Sequence, residues 1–253
     1  MDPLPSMVDT PPMRTVAITG AGGSLGRALL QRWHQRGARL VALSHSPEPL
    51  VLHDGSGSPI PLEQVRWQVG RETELADLLA GVDVLVLNHG VNGHGARDAA
   101  AMERSLEVNA LSVIRLLDTF AAAVAARSGD LDHPTRPEVW VNTSEAEIQP
   151  AFSPLYEISK RLVGQLVSLR SLDLGGPRGP LRVRRLVLGP FRSQLNPYGL
   201  MAADWVAGAI LWQAERGLDL IIVTVNPLMY VAMPVVTLLR WLYLRAFSRS
   251  PGR

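Results

Sequence analysis

At 253 residues the chain is long enough to enclose one full hydrophobic core, and a hydrophobic share of 47% excludes wholesale disorder. It has no cysteine, which excludes disulfides, thiolate metal sites and a cysteine nucleophile. The net charge is only +2 and no basic run is interleaved with aromatics, which argues against nucleic-acid binding; no metal site is expected either.

Residues 1–13 (MDPLPSMVDTPPM) hold four prolines and no periodic pattern, and read as a loose N-terminal tail. They lack the basic start and apolar run of a signal peptide, so a cytoplasmic location is expected. From Arg14 onward, short apolar runs alternate with helical periodicity. Strands are predicted at 15–19, 40–43, 65–69, 82–87, 139–143, 183–188 and 218–225. Helices are predicted at 24–36, 72–80, 99–127, 155–171 and 202–216, and a loop rich in Pro, Ser and Gly at 44–61. The run 82–87 is almost wholly apolar, as a strand at the centre of a parallel sheet should be. This order implies an α/β fold, a Rossmann-like doubly wound parallel sheet flanked by helices and spanning residues 14–225.

Residues 226–253 differ. The stretch 226–247 is strongly apolar, broken by Pro227 and Pro234, and carries Arg240 and Arg245, with Arg249 and Arg253 beyond it. It is too short and too interrupted for a good membrane span. One reading is a helix in a membrane interface, with Trp241, Tyr243 and Phe247 as anchors and the arginines toward headgroups. The other is a helix that covers the substrate cleft or an oligomer interface. The basic, aromatic tail favours the membrane surface.

The segment Thr19-Gly20-Ala21-Gly22-Gly23-Ser24-Leu25-Gly26 joins the first strand to the first helix. Glycines there permit a tight turn and bring backbone N–H groups toward a pyrophosphate at a helix N-terminus. An acidic residue at the end of the second strand would bind the ribose of NAD. Here the stretch is Ser44-His45-Ser46, which favours NADP(H) over NAD(H).

Tyr156 and Lys160 lie four residues apart, on one face of a helix. Lys160 is the only lysine among 25 basic residues. A compact ammonium beside a phenol would stabilise the phenolate and lower its pKa toward working pH, which suits general acid–base catalysis. Thr143 and Ser144 end the preceding strand, and each offers a hydroxyl to a substrate oxygen. Asn88 ends the central strand. Asn109 sits in the middle of a predicted helix, where asparagine is a mediocre choice.

Taken in order, Thr19-Gly20…Gly26, Asn88-His89-Gly90, Asn109, Ser144 and Tyr156…Lys160 resemble the short-chain dehydrogenase/reductase superfamily. That resemblance implies hydride transfer between a nicotinamide and a carbonyl or alcohol carbon. It makes Tyr156 the general acid/base and sets Lys160 on the nicotinamide ribose. Ser144 would orient the substrate oxygen, and Asn109 would hold a water of the proton relay. It places Gln68-Val69, Asn88-His89-Gly90 and Gly189-Pro190 among the cofactor contacts, beside Tyr156 and Lys160. The chain departs from the family pattern at Ser24, at His89, at Gln68-Val69 and in the order Gly189-Pro190-Phe191. Counting from Asn142 sets the substrate-orienting residue on Glu145, while counting back from Tyr156 points to Thr143. More closely, LNHGVNGHG, SLEVNALS, VWVNTSEAEIQPAFSPLYEISKR and LVLGPFRSQLNP are similar to the reductase half of cyanobacterial two-part proteins that also carry a sterol desaturase-like membrane region.

The expected function is thus an NAD(P)(H)-dependent oxidoreductase acting on an apolar or lipid-like small molecule, at the membrane surface and as a homo-oligomer or alone. Two alternatives stand beside it. One is a non-catalytic dinucleotide-binding sensor or partner of a membrane enzyme. The other, ranked lower, is a nucleotide-sugar epimerase or dehydratase, which Thr143-Ser144-Glu145 favours.

Overall fold

The structure is a computed structural model that describes residues 13–127, 136–176 and 179–249. Residues 1–12 of the N-terminal tail and Arg253 lie outside the described residues. Seven strands form one parallel sheet: β1 (Thr15–Thr19), β2 (Arg39–Ser44), β3 (Glu63–Arg66), β4 (Val84–Leu87), β5 (Glu138–Ser144), β6 (Arg182–Leu188) and β7 (Leu220–Val223). The order is β3-β2-β1-β4-β5-β6-β7. The direction of winding reverses between β1 and β4, and in such sheets the crevice outside the strand ends at that point binds ligands.

Each inner strand is buried on both faces, which explains runs such as VLVL in β4. One face carries α1 (Ser24–His34) and α6 (Ala203–Glu215), packed around Trp33 and Trp140, whose rings lie 5.6 Å apart. The other carries α2 (Ala76–Leu79), α3 (Ala99–Leu106), α4 (Ser112–Ala126) and α5 (Pro154–Leu174) around Leu116, Leu117 and Phe120. Full burial of side chains of this size stabilises by roughly 1.5–3 kcal/mol each.

Three departures from the sequence expectations have physical causes. The third strand occupies Glu63–Arg66 rather than 65–69, because Trp67 turns inward to the core and Gly70, at φ 94°, ends the run. The helical stretch 99–127 is broken by a π turn at Glu107–Leu111, centred on Asn109. A π turn of this kind often marks a functional site. The C-terminal stretch forms a single helix, α7 (Met229–Phe247), which runs through Pro234. Pro234 leaves the Tyr230 carbonyl without its helical partner, but it sits on the exposed side where water can serve.

Met229 and Met233 of α7 pack on Val187 of β6 and Ile222 of β7. Further along, Arg240 Nη1 donates to Glu147 Oε2 at 2.9 Å, and Arg185 of β6 donates to the same oxygen at 2.5 Å. All three are buried. Removing one partner from such a group costs about 3–5 kcal/mol, so the triad is a strong fastening for α7. Glu147 has room because Gly164 of α5 lacks a side chain. A Cβ there would come within 2.0 Å of the carboxylate.

Candidate active site

The loop after β1 is shaped by glycine where sterics demand it. Gly20 has φ 63°, and a Cβ on it would meet His89 Cα at 2.9 Å. A Cβ on Gly26 would lie 2.3 Å from the Gly20 carbonyl. Gly22 is different: a Cβ there would meet nothing within 4 Å. The protein's own packing does not require glycine at 22, but a phosphate approaching the backbone at the start of α1 would. Gly23 caps α1 and Ser24 opens it, so the first N–H groups of the helix face this opening. Leu25 is buried and serves the core. This cradle fits a dinucleotide pyrophosphate.

Thr19 is fully buried and joins strands rather than facing solvent. Its hydroxyl accepts from the Asn88 amide at 2.9 Å and the His89 amide at 3.3 Å. It lies 2.8 Å from His89 Nδ1, against 3.3 Å from the Val86 carbonyl. The shorter contact assigns the hydroxyl proton to Nδ1, so Nε2 carries the ring hydrogen. Nε2 then donates to Ser112 Oγ at 2.7 Å, which donates to the Val108 carbonyl at 3.0 Å. Burial, helped by the Lys160 ammonium, holds His89 at a pKa of about 4, so the ring is neutral. His89 therefore ties the β1 edge to the π turn.

Asn109 serves the same end. Its Oδ1 accepts from the Val91 amide at 2.7 Å, while Nδ2 donates to the Val91 carbonyl and to Ser159 Oγ, each at 2.9 Å. Gly90 lies against that Oδ1, and a Cβ on it would approach to 3.2 Å. Both amide protons are committed, so the side chain positions the 90–91 segment against α5. Asn88 accepts at Oδ1 from Asn142 Nδ2 at 2.8 Å, which links the ends of β4 and β5.

At the end of β2, Ser44 Oγ accepts from the Ser46 amide at 3.1 Å, and His45 points to solvent. The sheet register sets exposed Arg66 of β3 directly beside Ser44, on the same face of the sheet. Reading the sequence locally misses this arginine, since the two are 22 positions apart and only strand pairing joins them. Gln68 and Val69 lie past the end of β3; Gln68 is exposed and Val69 packs toward the core.

Tyr156 and Lys160 lie in the first turns of α5, which starts at Pro154. Lys160 Nζ is 5.5 Å from the Tyr156 ring centre and donates to the Asn142 carbonyl at 3.0 Å. Burial lowers the Lys160 ammonium to about 8, against the opposing pull of the Glu147 carboxylate. Burial raises the Tyr156 phenol, a hydrogen bond with the Ser144 side chain acts in the opposite sense, and Glu145 adds to the rise. The expected lowering of the phenol by Lys160 is not what sets its direction, which comes from burial. Both strand-end hydroxyls reach β6, since Ser144 Oγ donates to the Leu188 carbonyl at 3.4 Å, but only Ser144 also acts on the phenol. Ser144 is at the site. Thr143 is buried and donates to the Leu186 carbonyl at 3.3 Å.

Glu145 is the site residue that spacing alone left between alternatives. Its Oε2 accepts from Thr224 Oγ1 at 2.6 Å. Thr224 comes from the loop after β7, and it fits because Gly189 has no side chain; a Cβ on Gly189 would lie 2.4 Å from that hydroxyl. The carbonyl of Pro190 is occupied by the Leu200 amide at 2.8 Å, which folds the 189–202 segment back on itself. Asn92 meets this segment at the Leu195 carbonyl, 3.3 Å away.

Residues 16–223 match the model of the NAD dependent epimerase/dehydratase family. Over 94% of its length the chain is 44% identical to a monoglucosyldiacylglycerol epimerase of Synechocystis, and it spans only 55% of that longer protein. It is 30% identical to human L-xylulose reductase over 70% of each chain. Among solved structures, a short-chain dehydrogenase from Burkholderia cenocepacia in complex with NADP superposes with a TM-score of 0.72 at 19% identity, covering 94% of this chain and 98% of that one. The chain belongs to the NAD dependent epimerase/dehydratase family, on a short-chain dehydrogenase/reductase fold.

Proposed function

We propose that this chain epimerises a sugar carried on a lipid, by transient oxidation of one sugar hydroxyl. The observation that carries the reading is the convergence of Ser144, Tyr156 and Lys160 at the carboxyl edge of the sheet, with the Glu145 carboxylate beside the phenol. A carboxylate there opposes the phenolate that a simple ketone reductase needs. It is useful when the substrate brings further hydroxyl groups that can donate to it. The 44% identity to a glycolipid epimerase and the family match support this reading over net reduction, which reverses the order expected from the sequence. Exposed Phe152, Leu195, Tyr198 and Leu200 on the flanking segments suit an apolar tail.

When bound, a nicotinamide dinucleotide supplies the removal and return of a hydride at the carbon bearing the reacting hydroxyl. Gly20, Gly22, Gly23 and Ser24 would hold its pyrophosphate, and Lys160 its nicotinamide ribose. Ser44, His45, Ser46 and Arg66 would take a ribose 2′-phosphate, which favours NADP. Tyr156 takes the proton from the sugar hydroxyl and later gives it back to the opposite epimer. Ser144 donates to the oxygen while it is a carbonyl. Glu145 accepts from a neighbouring hydroxyl and keeps the sugar in the site while the oxidised ring turns its other face to the dinucleotide.

The test is incubation of the full chain with monoglucosyldiacylglycerol in vesicles and a trace of NADP or NAD, followed by sugar analysis. An epimeric sugar formed in large excess over dinucleotide, and lost in Tyr156→Phe with dinucleotide binding kept, supports the reading. Stoichiometric consumption of NADPH by simple carbonyl compounds, without epimer, overturns it in favour of net reduction. Unchanged cellular function in Tyr156→Phe favours the non-catalytic sensor.

A further inference from the structure

α7 is an apolar helix that the protein covers along only one stripe. Met229, Met233 and Arg240 are buried. The remaining circumference presents Val231, Val235, Leu238, Leu239, Leu242 and Phe247 to solvent, with Val231 at 68% and Phe247 at 78% exposure. The helix is 19 residues long, so this surface extends for about 28 Å. It continues around the edge strand β7 into an open groove lined by Trp205, Trp212 and Tyr230. Contiguous apolar exposure on this scale marks an interaction surface.

Charge decides what covers it. No aspartate or glutamate occurs between Asn226 and Arg253. Among the described residues the exposed cations here are Arg245, whose guanidinium lies 5.0 Å from the Trp241 ring, and Arg249 at the helix end. The nearest acids on the other side of the edge are occupied: Asp204 pairs with Arg32, Glu215 with Arg36 and Asp219 with Arg182. A second copy meeting this face would bring more arginines and no free carboxylate to answer them. A sheet of anionic headgroups over hydrocarbon answers both the arginines and the apolar side chains.

We propose that α7 and the adjoining β7–α6 edge dock this protein on an anionic lipid surface, with α7 lying in the interface. The start of this surface touches the candidate active site. Tyr230 Oη donates to the Thr224 carbonyl at 3.3 Å, and Thr224 holds Glu145. The docking does not depend on the epimerase reading, because binding is measured without turnover.

The full chain is floated with vesicles of phosphatidylcholine alone and of phosphatidylcholine with phosphatidylglycerol. It should float with the anionic vesicles and release at high salt. Leu238→Asp/Leu242→Asp, at exposed positions, should stay at the bottom of the gradient with unchanged melting temperature and dinucleotide binding. Arg245→Glu/Arg249→Glu should lower partition by roughly tenfold or more. A chain that remains unbound overturns the proposal. So does a stable dimer that fails to float and that Leu238→Asp/Leu242→Asp splits into monomers, which would give the face to a second copy.

Discussion

The two halves of the sheet end at the same edge but are held there by different means. From β1 to β4 the edge is shaped by backbone and by missing side chains: Gly20 against His89, Gly26 against Gly20, and Thr19 joining two amides. From β5 to α7 it is shaped by carboxylates gripped from distant elements: Glu145 by Thr224, and Glu147 by Arg185 and Arg240. The first half needs only to fit a dinucleotide common to a whole family. In the second half the buried Glu147 fastens α7, and Glu145 is the carboxylate that, on the proposed reading, would meet the sugar.

Glycine substitutions test the first half most sharply. Gly26→Ala sets a Cβ 2.3 Å from a carbonyl oxygen that has nowhere to go, so both the melting temperature and dinucleotide binding should collapse. Gly22→Ala should leave the melting temperature unchanged and weaken dinucleotide binding alone, by tenfold or more in a fluorescence titration. Equal losses of stability in the two variants would break the distinction.

Glu145→Gln probes the second half. Sugar epimerisation should fall by roughly 10–100-fold in kcat/KM, the loss expected when a hydrogen bond to a charged group worth about 1.5–3 kcal/mol is removed. Dinucleotide affinity should not change. Thr224→Val should give a smaller fall, because it frees the carboxylate without removing it.

Lys160 joins the halves and carries the pH dependence. Its folded-state value of about 8 means that the ammonium is present at pH 7 and lost at pH 9. Dinucleotide affinity should therefore weaken several-fold across that interval in isothermal titration. Lys160→Met should bind weakly and without this dependence.

The last expected effect concerns stability rather than binding or turnover. His89 has a folded-state pKa of about 4, below its ordinary 6.5. The unfolded chain binds this proton first, so the contribution is fully present above pH 6.5 and is lost as pH falls toward 4. The loss should be up to about 3 kcal/mol in denaturant melts, and His89→Ala should lack this segment of the acid dependence.

What was legible in the sequence follows the same division. The seven strands, the glycine turn and the Tyr156–Lys160 spacing are local patterns, and all were expected in this order, with only β3 shifted, to Glu63–Arg66. Asn109 drew notice as an odd helix residue, but the π turn that explains it comes from its bonds to Val91 and Ser159, one on a loop and one on another helix. Spacing alone divided the substrate-orienting role among Thr143, Ser144 and Glu145. Only the fold shows that consecutive residues turn to the sheet, the phenol and Thr224. Arg66 beside Ser44 and Arg240 on Glu147 are pairings across 22 and 93 positions, and no local pattern announces them.

The central claim is that the reacting carbon loses and regains its own hydrogen while Tyr156 handles only the hydroxyl proton. Epimerisation of monoglucosyldiacylglycerol in deuterium oxide, read by mass spectrometry of the released sugar, tests it directly. The account predicts an epimerised sugar with no deuterium on carbon, and no product from Tyr156→Phe. One deuterium on carbon per epimerised sugar, or full activity in Tyr156→Phe, would contradict it.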